Sequence, residues 1–317
     1  MIGRTSWLGT VLAVAACTST PTDSTESKVT APVCREVTLG WGSAPTQVGL
    51  LPGGDEYLAR GPQAIAVGPT GETFVLDSVN ARVLAVGATI RVAVDGIAHD
   101  AEALTVGADG AIAVYSPLKS TAWIFDRDGA PAGSVAIDRA LHQTVGISLG
   151  ASRQVLVHSA YQETMSAGSP SAPTSLATLL TGKREGAFLF PDGAGVTTHA
   201  TSSGVELLVV TNAAGRRSST RAAFPIPGDA SAAMLVGVAG TSACMRVEQV
   251  AQPSDRVEVT RRAVCMDATN GRVLTDLALA KPELYVPAHE LAAGANTIAV
   301  LQPTVDHLTV RTCEVSR

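Results

Sequence analysis

The sequence predicts an all-β fold assembled from small antiparallel sheets, and three observations carry that prediction. The chain has 317 residues, 46% hydrophobic and only 16% charged, so it can bury a core and is not disordered by composition. Its 30 glycines and 17 prolines interrupt the apolar runs and leave little room for long helices. Short β-rich runs recur along the chain, separated by Gly, Pro, Asn and Asp.

The clearest unit is residues 61–87. Its strands AIAV, TFVL and RVLAV are separated by a Gly turn at Pro69, Thr70 and Gly71 and by the polar loop from Asp77 to Ala81. Strand, turn, strand, loop, strand at this pitch makes one antiparallel unit. Gly61, Pro62, Gly71, Asp77, Ser78, Asn80 and Arg82 together resemble an NHL-type β-propeller repeat. The resemblance implies sheets of four strands set as blades around a central channel.

Weaker copies follow at 103–135, 146–190, 193–227, 234–280 and 291–315. The first of them has an Asp109-Gly110 turn and a fourth strand after Asp128-Gly129, but lacks the Asp-Ser-x-Asn-x-Arg loop. The last is completed by residues 33–41 from the other end of the chain, which would close a ring. The expected architecture is therefore a six-bladed β-propeller. Seven blades, or a β-sandwich followed by a second domain, are the alternatives. Residues 166–175, SAGSPSAPTS, read as a Pro/Ser-rich insertion and a mobile surface loop.

The N-terminus carries an address. Arg4 precedes an uncharged stretch at 5–16, which is shorter than the roughly 20 residues a spanning helix needs and reads as a signal-peptide core. Val14, Ala15, Ala16 and Cys17 resemble the bacterial lipobox, which implies cleavage before Cys17 and a diacylglycerol on its thiol. The alternatives are an ordinary cleaved signal with a chance cysteine, or a cytosolic protein with a mis-called start. Residues 18–33 contain no aromatic, Leu or Ile and read as a flexible tether. The expected division is a signal peptide at 1–16, lipidated Cys17 and tether at 17–33, and the propeller at 34–317. The membrane is then a partner through the lipid, at the bacterial cell envelope and specifically its outer membrane.

Setting Cys17 aside leaves Cys34, Cys244, Cys265 and Cys313, an even number suited to an oxidising compartment. A hairpin of 242–250 with 255–267 brings Cys244 to Cys265 and leaves Cys34 for Cys313, tying the first strand of the body to the last. No CxxC or Cys/His zinc spacing occurs.

Catalytic motifs are not found. Residues 240–244 lack the second glycine of a nucleophile elbow. Gly182-Lys183 lacks the rest of a P-loop, and His289-Glu290 is followed by Ala293 where a zincin has its second histidine. We therefore expect no catalytic residue, no metal and no cofactor. The formal charge of −5 and pI of about 5.7 give no basic field for nucleic acid. Asp77, Asn80 and Arg82 read as loop-tying residues, the Asp-Gly pairs at 109, 128 and 192 as hairpin turns, and Arg216-Arg217 and Arg261-Arg262 as solvated.

One constellation remains. Gln63, His99-Asp100, Glu102, His142-Gln143 and His289-Glu290 each stand where an inner strand begins, so a propeller would converge them at one mouth of its channel. Gln63, Glu102, His142, His289 and Glu290 are the candidate ligand-binding residues. The expected function is non-enzymatic binding of a protein, peptide or polymer at the envelope. The alternative is a metal-dependent hydrolase or lyase resembling gluconolactonase-like or peptidyl-hydroxyglycine-lyase-like propellers. A quinone-dependent dehydrogenase is disfavoured because its cofactor clamp is not found.

Overall fold

The computed structural model describes residues 32–141, 144–175, 178, 184–185, 188–189, 194–201, 204–213, 216–225, 231–252 and 256–315. The proposed signal peptide, Cys17 and all but the last residues of the tether lie outside them, as do His142 and Gln143.

The fold is all-β, with 59% of the chain in strands and 2% in helix. β1 (Cys34–Gly40) stands apart in sequence from the sheet it joins. The next sheet is β2 (Ala64–Val67), β3 (Thr73–Asp77), β4 (Arg82–Val86) and β5 (Ile90–Asp95). Then come β6 (Ala103–Val106), β7 (Ile112–Ser116), β8 (Thr121–Phe125) and β9 (Pro131–Ala136). The third sheet is β10 (Thr144–Leu149), β11 (Val155–Ser159), β12 (Glu163–Ser169) and β13 (Ala172–Pro173), with β14 (Arg184–Glu185) also on β12. The fourth is β15 (Phe188–Leu189), β16 (Gly195–Thr201), β17 (Gly204–Ala213) and β18 (Arg216–Pro225).

The remaining strands are β19 (Ala232–Ala239), β20 (Ser242–Ala251), β21 (Glu258–Asp267), β22 (Val273–Leu279), β23 (Leu291–Gly294), β24 (Thr297–Pro303) and β25 (His307–Glu314). They form one sheet in the order β1-β25-β24-β23-β19-β20-β21-β22. Its two halves are antiparallel meanders that meet at a single parallel pair, Gly237 with Ala293. A second parallel bridge, Ala64 with His289, joins the start of β2 to the residues leading into β23.

These parallel bridges fix the geometry of the molecule. The first strands of neighbouring sheets run in the same direction, and each sheet then meanders outward. Among the described residues, connectors into first strands and loops between second and third strands therefore lie at one end, called here the connector end. The described turns between first and second, and between third and fourth strands, lie at the other, the turn end. Hydrogen bonds between units respect the division. At the connector end the Arg60 guanidinium donates to His99 O at 2.7 Å. At the turn end Arg153 pairs with Asp109 at 3.1 Å.

β2, β3 and β4 are buried on both faces, which explains why they are continuous apolar runs and not alternating ones. Side chains of adjacent sheets interdigitate. Leu76 and Val83 pack with Leu104 and Val114 of the next sheet, and Leu84 and Val75 with Leu301 and Val310 of the last. Such burial is worth about 25 cal/mol per Å² of apolar surface and drives assembly of the ring.

β1 pairs in full register with β25, from Cys34 opposite Cys313 to Gly40 opposite His307, and Cys34 and Cys313 form a disulfide. Cys244 and Cys265 lie opposite each other on β20 and β21 and form the second. Both pairings are those expected from the sequence.

Two expectations are corrected. The Pro/Ser-rich stretch at 166–175 is not an irregular loop: Gly168 pairs with Pro173 and Ser169 with Ala172, closing the hairpin of β12 and β13. Its small polar residues satisfy the ladder through their backbone, which composition does not reveal. Phe188 and Leu189, assigned by spacing to the unit ending at 190, pair with Val196 and Gly195 and begin the fourth sheet.

Candidate functional site

The polar loop after β3 is the most strongly tied local feature, and its role is structural. Asp77 is fully buried. Its Oδ1 accepts from the Gly49 amide at 3.0 Å, and its Oδ2 accepts from Asn80 Nδ2 at 2.8 Å and from Arg82 Nε at 3.0 Å. The Arg82 guanidinium then donates to the carbonyls of Ser43, Ala44 and Gln47 at 3.3, 2.9 and 2.8 Å. Asn80 also donates to Gly42 O at 2.9 Å. The loop therefore clamps the segment at 42–49 against the first sheet, as expected of these residues from the sequence.

The first strands surround a cavity of about 1350 Å³, lined by parts of β2, β6, β10, β15, β19 and β23. Most of the wall is Val, Leu, Ile, Ala and Gly. The polar groups on it include Glu102, Ser148, His158, Arg246, His289 and Glu290.

His289 is positioned by backbone pairing across two units. Its amide donates to Gln63 O at 2.9 Å and its carbonyl accepts from the Ile65 amide at 3.2 Å. The imidazole reaches across to β10, where a Cβ placed on Gly146 would lie 3.6 Å from its Cε1. Burial lowers the pKa of His289 to about 4, so the ring is neutral at pH 7 and offers one donor and one acceptor.

Glu290 is 5% exposed and holds two guanidiniums. Its Oε1 accepts from Arg246 Nη1 at 3.1 Å and from Arg261 Nη2. Glu248 Oε1 lies 3.1 Å from Arg246 Nε. Arg246 and Glu248 stand on β20 and Arg261 on β21, with Glu248 directly opposite Arg261, so strand register assembles the cluster. Two carboxylates and two guanidiniums balance one another, and Glu290 is an anchor between the two halves of the eight-stranded sheet. The expectation that Arg261 and Arg262 are solvated is corrected: Arg262 pairs with Asp276 from the adjacent strand.

Of the other candidates, Glu102 is exposed on the cavity wall. Gln63 turns its amide back to donate to Gly61 O at 2.8 Å and is not on that wall. His99 Nδ1 lies 3.1 Å from Ser78 O. Among the described residues no group of three His, Cys, Asp or Glu side chains is placed to hold a metal ion.

Sequence reasoning missed His158, which is 2% exposed and stacks on Phe188 with ring centroids 4.5 Å apart. Its Nε2 lies 2.9 Å from Ser148 Oγ and its Nδ1 3.1 Å from Thr164 Oγ1. A lone histidine inside VLVHS carries no local signal, because its partners come from both neighbouring strands.

No family model matches the chain, and no curated protein is similar to it in sequence. Among solved structures it is similar to virginiamycin B lyase from Staphylococcus aureus, at 10% identity and a TM-score of 0.49, covering 88% of this chain and 99% of that one. It is similar to a gluconolactonase from Xanthomonas campestris, at 13% identity and a TM-score of 0.42, covering 80% and 86%. It is also similar to a PQQ-bound aldose sugar dehydrogenase from Streptomyces coelicolor, at 12% identity and a TM-score of 0.40, covering 90% and 100%. Likenesses of this size carry no argument about chemistry, which has to come from the chain's own residues.

Proposed function

We propose that this protein is a six-bladed, NHL-like β-propeller, lipid-anchored to the cell envelope through Cys17, that acts as a non-enzymatic binding module. The observation that carries the reading is the chemistry of the central cavity. Its wall is mostly apolar, its histidine at 289 is neutral, and its buried carboxylate, Glu290, is already held by two guanidiniums. Such a site suits recognition, in which a few fixed polar groups orient a ligand against an apolar surface. A metal centre needs free, converging anionic or imidazole ligands.

The test is elemental analysis of the purified protein, followed by thermal unfolding with and without EDTA. We expect no stoichiometric metal and an unchanged Tm. A near-stoichiometric divalent ion whose removal lowers Tm would overturn the reading in favour of a metal-dependent hydrolase or lyase. The anchor is tested separately: Cys17→Ala is expected to move the protein from the detergent phase to the aqueous phase, and unchanged partitioning would discard the lipid.

A further inference from the structure

The two ends of the molecule differ in surface chemistry. Among the described residues, every exposed large apolar side chain except Val33 and Val92 lies at the connector end. Leu51, Tyr57 and Leu58 stand on the connector into β2, exposed by 51%, 66% and 90%. Leu118, Tyr161 and Val305 tip the loops between second and third strands of three different units. The turn end is built from tight turns at Gly71, Gly110, Gly129 and Gly240, all with positive φ. Scattered surface hydrophobes are ordinary, but their segregation to one end from nearly every unit is not.

Charge divides in the same way. At the turn end acids meet bases, as in Glu72 with Arg91 and Asp109 with Arg153. At the connector end, among the described residues, the exposed carboxylates of Asp55, Glu56, Asp95, Glu102, Asp138, Glu258, Glu283 and Asp306 outnumber the exposed cations Lys119, Arg139, Arg256 and Lys281. The chain toward Cys17 leaves from the opposite end, because Val33 O accepts from the Glu314 amide beside the Cys34–Cys313 bridge.

We propose that the connector end is the docking surface for a polypeptide partner that presents apolar side chains together with Lys or Arg. The proposal rests on the binding reading above and names its face and its partner. Tyr and Leu anchors supply the desolvated centre of such an interface, and the surrounding carboxylates favour a cationic polypeptide and disfavour an anionic bilayer. A second copy of this chain would set like charge against like. The described chain begins at the far end, so the segment toward Cys17 does not start on this surface.

The probe is a fluorescent amphipathic peptide of Leu and Lys, titrated by anisotropy against the full chain carrying Cys17→Ala. A Leu/Glu peptide of the same pattern serves as control. We expect the Leu/Lys peptide to bind at least about tenfold more tightly, to weaken with salt, and to lose about tenfold with Leu58→Asp plus Tyr161→Asp. Thr70→Asp at the turn end is expected to change nothing, and circular dichroism confirms that each variant is folded. Equal binding of the two peptides, no binding, or equal loss from the turn-end variant would overturn the proposal. Cosedimentation with vesicles of phosphatidylcholine and phosphatidylglycerol would overturn it in favour of a membrane surface. A dimer in light scattering that Leu58→Asp dissociates would do so in favour of self-association. Absent peptide binding with no metal found discards the surface alone, whereas a stoichiometric metal discards the reading beneath it.

Discussion

At the scale of single residues, His289 is a cavity-facing group whose protonation burial shifts far from its ordinary value. Unfolded, its imidazole takes up a proton near pH 6.5; folded, it does so near pH 4. Between those values only the unfolded chain is protonated, so the contribution of His289 is complete above about pH 6.5 and is lost as pH falls toward 4. After allowance for water in the cavity the loss is about 2 kcal/mol. We expect the Tm of the native protein to drop more steeply than that of His289→Gln between about pH 7 and pH 4.5, and parallel profiles would discount the buried ring. The sequence showed where His289 stands in the chain, at the start of an inner strand. It did not show that the adjacent Glu290 is held by Arg246 and Arg261, because those partners arrive from strands 44 and 29 residues away.

At the scale of elements, the loop between β3 and β4 does what its sequence announced, because its interactions are encoded within a few residues. Asp77, Asn80 and Arg82 fold onto one another and only then reach the segment at 42–49. Asp77→Ala would leave the Arg82 guanidinium, 8% exposed, without its anion. We expect a loss of about 3–5 kcal/mol in urea denaturation, against less than about 1 kcal/mol for Arg91→Ala, whose pair with Glu72 is half exposed. Similar costs for the two would mean that the loop does not hold the segment. The hairpin of β12 and β13 is the opposite case. Its Ser, Gly and Pro residues have low strand propensity, and tertiary pairing overrides that preference.

At the scale of the whole molecule, the legible features were those in which distant parts of the chain carry matching labels. Four cysteines allow only three pairings, and strand arithmetic selected the one observed. The bridges span very different loops, 279 residues for Cys34–Cys313 and 21 for Cys244–Cys265. In the chain-entropy account they contribute about 5 and about 3 kcal/mol, so Cys34→Ser plus Cys313→Ser is expected to lower stability more than Cys244→Ser plus Cys265→Ser. The reverse order would show that closure of the ring adds little.

The pairing of β1 with β25 also sets a timetable. The strand at Cys34–Gly40 is made first among the described strands, and its partner at His307–Glu314 is made last. Until His307–Glu314 is made, its backbone donors and acceptors have no ladder to join, and the growing chain carries an open edge that another chain could capture. Closure joins residues nearly a full chain apart, a high-contact-order step that comes late. A truncated or stalled product would therefore present an unpaired strand at one end and an incomplete sheet at the other, and two such products could complete each other.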